Sequence, residues 1–202
     1  MCRAMKKYGV RGILVVAAIA FCVLSGADAP ARITKQAKII DKGLALYGWP
    51  VLPKIAGWSQ DMGASSHYNC NALAPDGFTF GNAETVLYAN AVYKPQVPDV
   101  TSLEMFIEAD GKRFAESTEK PFITEVAPLT TADGMKLRSV TFFPREKGNW
   151  ERVSYAEEGD FYLTFTLSSR TREGYEKALS EYFRLVQGYS EGLEESAPTP
   201  AQ

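Results

Sequence analysis

The chain has few cysteines and histidines. Only three of its 202 residues are cysteine and one is histidine. Two of the cysteines, Cys2 and Cys22, lie in the first 22 residues, so removal of that stretch would leave Cys70 as the only thiol and no intramolecular disulfide. One histidine and one cysteine are also too few for a zinc site unless carboxylates complete it. The sequence therefore predicts no metal, no cofactor and a domain that depends on its apolar core.

Several catalytic signatures are also missing. The chain contains no Gly-X-Ser-X-Gly motif, no phosphate-binding loop and no dinucleotide-binding glycine pattern. It has no Asn-X-Ser/Thr sequon and no internal repeat. The missing motifs argue against the common hydrolases and nucleotide-binding enzymes, and the missing sequon fits a bacterial origin.

No apolar run is long enough for an ordinary bilayer span. The apolar run Ile13–Leu24 has twelve residues, follows four basic residues and precedes a Ser-Gly-Ala segment. This order is typical of a cleavable secretory signal, which we assign to residues 1–29. We expect cleavage after Ala27 rather than Ala29, because Pro30 would follow the second cut. The alternative is an uncleaved signal, which would be the only attachment to a membrane.

The remaining chain has no excess of positive charge. Four of the 22 lysines and arginines and one of the 24 acidic residues fall in residues 1–29, which leaves 18 basic and 23 acidic residues and a net charge of −5. Nucleic-acid binding requires a basic patch, so we expect no nucleic-acid partner. With the predicted signal, the protein is expected in the periplasm or outside the cell.

The strongest strand pattern lies near the C-terminus. Phe161–Ser168 alternates apolar residues with mostly hydroxyl-bearing ones, which is typical of a strand with one buried face. Residues 151–156 alternate in the same way, and Glu157-Glu158-Gly159-Asp160 is a turn signal between the two runs. The pattern predicts an antiparallel hairpin with one apolar and one hydroxyl face.

A helical pattern follows this hairpin. Apolar residues from Tyr175 to Tyr189 recur at the spacing of one helical stripe. Thr171 is the expected N-cap, and Gly188 stands where a helix commonly stops. We predict one long amphipathic helix that docks on the apolar face of the hairpin.

The middle of the chain gives three further elements. Thr85–Tyr93 is predicted to be a central strand, because apolar residues occupy both of its faces. Thr101 and Glu104 form a capping box that predicts the start of a helix. Pro121–Leu129 and Lys136–Phe143 are predicted to pair as strands.

The first third of the domain has weaker patterns. Residues 33–47 fit a helix poorly, and a strand over 40–47 is an equal alternative. Gly57–Gly63 is predicted to be a loop, and Ser65–Leu73 an edge strand. Residues 190–202 have little to bury and are predicted to be a disordered tail.

Together these elements predict an α+β fold. A central, largely antiparallel β-sheet would carry helices on both faces, as an α/β/α sandwich, with a closing β-hairpin before the long C-terminal helix. We assign residues 30–189 to a single domain between the signal peptide and the tail.

This order of elements is similar to the fold of the PsbP/Mog1/DcrB-like superfamily. The resemblance is carried by Thr85–Tyr93, Thr101–Phe114 and Trp150–Tyr189, and it concerns architecture rather than a diagnostic motif. Members of that superfamily are generally accessory or binding modules rather than enzymes. The resemblance therefore implies a binding function and transfers no catalytic residue.

Aromatic residues are the candidate binding side chains. A ligand groove would be lined by large apolar side chains with a few polar groups, and the candidates are Trp58, Tyr88, Tyr93, Trp150 and Tyr162. The alternative is that most of them lie in the core or on the sheet surface. The partner would be an unknown protein or a small amphiphilic ligand, and the oligomeric state stays open.

One pair of residues has the chemistry of a thiol nucleophile and its base, namely Cys70 and His67. Their spacing of three would send them to opposite faces of a strand. We therefore predict no catalytic residues and a non-enzymatic module. The alternative function is a thiol-dependent or other hydrolytic enzyme centred on Cys70. Asp110 and Arg113 are predicted to form an ordinary ion pair on a helix surface.

Overall fold

The computed structural model describes residues 33–40, 43–118 and 121–189. The predicted signal peptide and the predicted C-terminal tail lie outside these ranges. The elements, in chain order, are β1 (Ile33–Ile40), β2 (Gly43–Pro50), β3 (Trp58–Gln60), α1 (Met62–Tyr68), β4 (Asn71–Pro75), β5 (Thr85–Tyr93), a 3-10 turn (Lys94–Gln96), α2 (Leu103–Ser117), β6 (Phe122–Thr130), β7 (Lys136–Phe143), β8 (Trp150–Glu158), β9 (Phe161–Ser169), α3 (Arg172–Lys177) and α4 (Leu179–Gln187).

One sheet organises these elements. The described residues form nine strands, seven of which follow the order β1-β2-β5-β9-β8-β7-β6, while β4 also pairs with β5, and β3 pairs with β4. All of these pairings are antiparallel. The central pair, β5 and β9, is in continuous register from Thr85 opposite Ser169 to Tyr93 opposite Phe161. The predicted antiparallel sheet and the central position of β5 are confirmed.

Helices cover both faces of the sheet, as predicted. On one face, α3 and α4 pack on an apolar cluster that includes Leu87, Phe165 and Tyr182. On the other face, α2 brings Phe106 and Ile107 against a cluster from β7, β8 and β9. Successive side chains of a strand point to opposite faces, so β5 serves both clusters.

Gly48 allows β2 to approach the centre of the sheet. It lies opposite Ala91 of β5, and a Cβ atom on Gly48 would lie 2.8 Å from the Ala91 Cβ and 2.9 Å from Cε1 of Phe161. Any larger residue would require the backbone or the Phe161 ring to move. The close packing of β2 on β5 therefore depends on glycine at this position.

The prediction of an edge strand over residues 65–73 is wrong. Asp61 caps a short helix there, because its Oδ1 accepts the Ala64 N–H at 2.9 Å. Asn69 ends the helix in the left-handed conformation with φ of 56°. Strand β4 begins only at Asn71. The predicted loop over residues 57–63 likewise contains the short strand β3.

The predicted start of α2 is displaced by one residue. The N-cap is Ser102, whose Oγ accepts the Met105 N–H at 3.2 Å. The Thr101 hydroxyl instead donates to Sδ of Met105 at 3.3 Å. The Met105 N–H lies in the first turn and has no partner within the helix. Ser102 stands three residues before it, which is the spacing that capping requires.

The C-terminal helix is divided into two segments. Thr171 caps α3 as predicted, since its Oγ1 accepts the Gly174 N–H at 3.0 Å, and Gly188 ends α4. Ala178 joins the segments with φ of −90° and ψ of 1°. The two segments pack on different strands, α3 on β8 and β9 and α4 on β6 and β9. The bend lets both follow the sheet, and the prediction of one continuous helix is corrected accordingly.

Strand β9 is buried on both faces. All nine of its residues are buried, including Thr164, Thr166 and Ser168 on the hydroxyl face. The expectation of a single buried face is therefore wrong. The hydroxyl face is buried because it lies on the side of the sheet that carries α2. The same face forms the floor of the candidate site.

Candidate functional site

The five aromatic residues predicted for binding do not share one groove. Trp58, Tyr93 and Trp150 pack against the cluster beneath α3 and α4. Tyr162 lies on the opposite face, stacked on Phe106 with ring centroids 4.8 Å apart. Of the five, Tyr88 lines the cavities described here. A binding role for the other four stays a prediction.

A polar cleft crosses the face of the sheet that carries α2. It consists of two adjoining cavities, one of about 550 Å³ beside α2 and one of about 460 Å³ beside α1. Four residues line both cavities: Tyr88, Asn90, Asn149 and Glu151. These four define the polar cleft, and the two parts are called the α2 cavity and the α1 cavity.

Strand register assembles the floor of the cleft. Tyr88 on β5 lies opposite Thr166 on β9, and Ser168 on β9 lies opposite Glu151 on β8. Side chains directly opposite each other on one face are close neighbours in an antiparallel sheet. The β8–β9 hairpin and the sequence-distant strand β5 therefore deliver their polar residues to one surface.

Hydrogen bonds join the polar side chains of the floor. The Ser168 hydroxyl donates to Oε1 of Glu151 at 2.6 Å, and Nδ2 of Asn149 donates to the Ser168 oxygen at 3.0 Å. The Thr164 hydroxyl donates to Oδ1 of Asn90. Polar groups that are buried without partners destabilise a fold, so these bonds offset part of the cost of a polar floor.

Glu151 is the central titratable group of the cleft. Burial raises its pKa above the ordinary value, and the nearby Asp110 carboxylate adds to the rise. The hydrogen bonds from Ser168 and Asn149 act in the opposite direction but are outweighed. Within residues 33–40, 43–118 and 121–189, no lysine or arginine forms an ion pair with this carboxyl. The cleft thus holds a carboxyl group whose charge the described side chains do not balance.

Helix α2 supplies the wall of the α2 cavity. Asp110 accepts a hydrogen bond from the Tyr155 phenol at 2.6 Å through Oδ2 and pairs with Nη2 of Arg113 at 2.8 Å through Oδ1. The predicted ion pair between Asp110 and Arg113 is confirmed. The Tyr155 bond additionally fixes Asp110 against the sheet, so this side chain is not an ordinary surface carboxylate.

Three aromatic rings form the wall of the α1 cavity. The Tyr68 and Phe80 ring centroids are 5.6 Å apart, and those of Phe80 and Tyr88 are 5.9 Å apart. Tyr68 is the last residue of α1 and is 59% exposed. The backbone N–H of Phe80 donates to Oδ2 of Asp61 at 2.9 Å. The capping residue of α1 therefore also positions this aromatic wall.

Cys70 lines the α1 cavity, whereas His67 lies in α1. Cys70 is 4% exposed as a residue, and burial raises the pKa of its thiol to about 11. The His67 ring is exposed and packs edge-on against Tyr68 at 4.6 Å. In the part of the chain that the structure describes, no hydrogen bond joins the His67 ring to the Cys70 thiol.

Metal-binding clusters and membrane-spanning helices are both absent from the described ranges. No group of three or more His, Cys, Asp or Glu side chains there is arranged to hold a metal ion. No helix among the same residues combines the length and the apolar character needed to cross a bilayer.

Comparisons with known proteins add little. No protein-family model and no curated protein matches the chain. Among solved structures, the chain is similar to PA94, a protein of unknown function from Pseudomonas aeruginosa. The two share 10% sequence identity with a TM-score of 0.36, over 83% of this chain and 99% of PA94. A likeness of this size assigns neither a family nor a function.

Sequence reasoning missed most of the cleft. Glu151 is flanked by Trp150 and Arg152 and has no motif around it, so its burial follows only from the strand pairing. Asn149 lies in a turn and has no distinguishing pattern. Asn90 did carry a signal, because an amide in the middle of an otherwise apolar central strand requires a polar neighbour or a cavity.

Proposed function

We propose that this protein is an exported, non-enzymatic binding module that holds a small organic molecule in the polar cleft. The observation that carries the proposal is the set of four residues shared by both cavities, Tyr88, Asn90, Asn149 and Glu151. A cleft with a few convergent polar groups and a perturbed carboxyl is the usual form of a small-molecule site. The combined volume of the two cavities suits a ligand of small organic size.

The state of Cys70 supports a binding role over the enzyme alternative. A cysteine nucleophile reacts as the thiolate, and reactive cysteines have a pKa below the ordinary value. The pKa of Cys70 is raised to about 11, so its thiol stays protonated near neutral pH. A hydrolytic reaction centred on this residue would lack the thiolate near neutral pH.

The sequence supports two further parts of the proposal, export and an accessory role. The basic, apolar and small-residue segments of residues 1–29 support export. The resemblance to the PsbP/Mog1/DcrB-like superfamily implies an accessory or binding module. Cell fractionation followed by N-terminal sequencing tests export, and we expect a mature chain that begins at Asp28. A full-length chain in the cytoplasm would overturn this part of the proposal.

A thermal-shift screen with a small-molecule library tests the binding function. Val86 lines the α1 cavity, so Val86→Trp fills it, whereas Ile123→Trp adds the same side chain at an exposed position of β6. We expect compounds that raise the melting temperature of the wild type and of Ile123→Trp but not of Val86→Trp. Equal shifts for all three proteins would overturn the proposed site. Chemical conversion of a bound compound would overturn the non-enzymatic assignment.

A further inference from the structure

The α1 cavity combines aromatic rings with a carboxyl group. We propose that it binds a small organic cation, held between the rings of Tyr68, Phe80 and Tyr88 and the carboxyl of Glu151. This inference rests on the proposed binding function and names the ligand class for that site. The ligand would carry an ammonium or quaternary ammonium group small enough for a cavity of about 460 Å³.

Three aromatic rings favour positive charge in the α1 cavity. The face of an aromatic ring is negative, so a cation within about 6 Å of the ring centroid is attracted to it, more strongly where water is excluded. Tyr68, Phe80 and Tyr88 follow one another at 5.6 and 5.9 Å and line the same cavity. Several rings around one space are the usual way in which proteins recognise quaternary ammonium groups.

The Glu151 carboxyl in the same cavity also favours a cation. Its described contacts are hydrogen bonds and not an ion pair, and burial works against its ionised form. A cation in the α1 cavity would restore the charge balance and would be desolvated beside the carboxylate, where their attraction is strong. A neutral ligand of the same shape would gain no charge–charge attraction from the ionised carboxylate.

The other charged groups around Glu151 do not remove this preference. Arg113 in the α2 cavity is paired with Asp110 at 2.8 Å. Arg170 at the rim of the α1 cavity is exposed and donates to the Gly81 carbonyl at 2.6 Å. Glu84 on the same rim is exposed and accepts from the Thr171 hydroxyl at 2.7 Å.

Two further titratable side chains face the α1 cavity. The pKa of Cys70 is raised to about 11, and that of Tyr88 is raised well above the ordinary value, in both cases mainly by burial. Both side chains therefore stay neutral at the pH values at which Glu151 ionises. Glu151 therefore supplies a charge that changes beside the rings, while Glu84 lies on the rim of the same cavity and His67 packs on Tyr68.

Cation binding should therefore be linked to a proton. At a pH below the raised pKa of Glu151, the carboxyl holds a proton that must leave to the solvent before the carboxylate faces the cation. Affinity for a cation should rise with pH and level off once Glu151 is ionised. Affinity for a neutral molecule of the same shape should not follow this course.

Calorimetric titration with matched probes tests the inference. Choline and tetramethylammonium are the cations, and 3,3-dimethylbutan-1-ol is the neutral isostere of choline. We expect the cations to bind at least about tenfold more tightly than the isostere at neutral pH, with the affinity falling as the pH is lowered. Equal affinity for choline and its isostere, or no binding of either cation, would overturn the inference.

Three variants assign the effect to residues. Glu151→Gln should remove the pH dependence and most of the preference for the cations, and Glu108→Gln, on the exposed side of α2, should change neither. Tyr68→Ala alters an exposed side chain and should weaken cation binding without affecting folding. An unchanged affinity in both Glu151→Gln and Tyr68→Ala would overturn the inference. A different outcome separates the two proposals: library compounds bind to the wild type but not to Val86→Trp, and neither cation binds. This result would support the binding module and overturn the inference that its ligand is a cation.

Discussion

The phenol of Tyr155 donates a 2.6 Å hydrogen bond to Oδ2 of Asp110, which joins the centre of the sheet to helix α2. Tyr155 is fully buried, and burial together with the Asp110 charge raises the pKa of its phenol. Asp110 is fixed from the other side by Arg113. This bond ties α2 to the sheet at the α2 cavity, which Asp110 lines.

Tyr155→Phe should destabilise the protein. The substitution keeps the ring but removes a hydrogen bond to a charged acceptor, which should cost roughly 1 to 3 kcal/mol in the free energy of unfolding. Urea denaturation measures the loss. Tyr68→Phe, which removes a phenol from a residue that is 59% exposed, is the control and should change stability by no more than about 0.5 kcal/mol. A Tyr155→Phe protein as stable as the wild type would show that the bond contributes nothing.

Glu151 should make stability depend on pH. The folded protein keeps its proton at pH values where the unfolded chain, with an ordinary glutamate pKa near 4.5, has lost it. The contribution of Glu151 is therefore greatest below that value and is lost as the pH rises through the raised pKa.

Melting temperatures across this pH range measure the effect. Glu151→Gln keeps an acceptor for the Ser168 hydroxyl and cannot ionise, so it should lose less stability than the wild type over the same rise in pH. Glu108→Gln should follow the wild type. If the melting temperatures of the wild type and Glu151→Gln change with pH in the same way, the pKa of Glu151 is not raised by folding.

Cys70 should react slowly with a thiol reagent in the folded state. A pKa of about 11 in place of 9.0 lowers the thiolate fraction about 100-fold near neutral pH, and burial adds a barrier of access. Replacing Cys2 and Cys22 by serine makes Cys70 the only thiol, and the same chain unfolded in urea gives the reference rate. Modification of the folded protein at the unfolded rate would contradict the burial and revive the enzyme alternative.

Gly48→Ala should separate β2 from β5. The added Cβ would lie within 3 Å of Ala91 and of the Phe161 ring, so the cost should be roughly 1 to 3 kcal/mol. Gly81→Ala is the matched control, because no atom lies within 4 Å of its added Cβ and its φ is not positive. Its stability should stay within about 1 kcal/mol of the wild type. Equal stability of the two variants would mean that β2 packs less closely than described.

The periodic strands were the most predictable part of the fold. The alternation of Thr85–Tyr93 and Phe161–Ser168 reports local geometry, and the observed bounds of β5 and β9 agree with it to within one residue. Helix α1 was missed because its seven residues show no apolar stripe. Asp61 and Asn69 were its only signals, as the cap residues at its two ends.

The cleft could not be predicted in the same way. Its floor depends on which strands lie side by side, and this order is a property of pairings distant in sequence. Tyr88 was selected for its aromatic ring, whereas Glu151 was overlooked because a single acid in a strand usually faces water. The hydroxyl face of β9 was assigned to the surface because alternation does not reveal that a second helix covers it.

The position of β9 also governs when the domain can form during synthesis. Thr85 meets Ser169 84 positions later in the chain, and β9 is the strand that joins β5 to the β6-β7-β8 meander. Until the ribosome has released residues 161–169, one edge of β5 stays unpaired. Both apolar clusters also lack the side chains that β9 contributes to them. An emerging chain therefore offers exposed strand edges to chaperones for most of its translation.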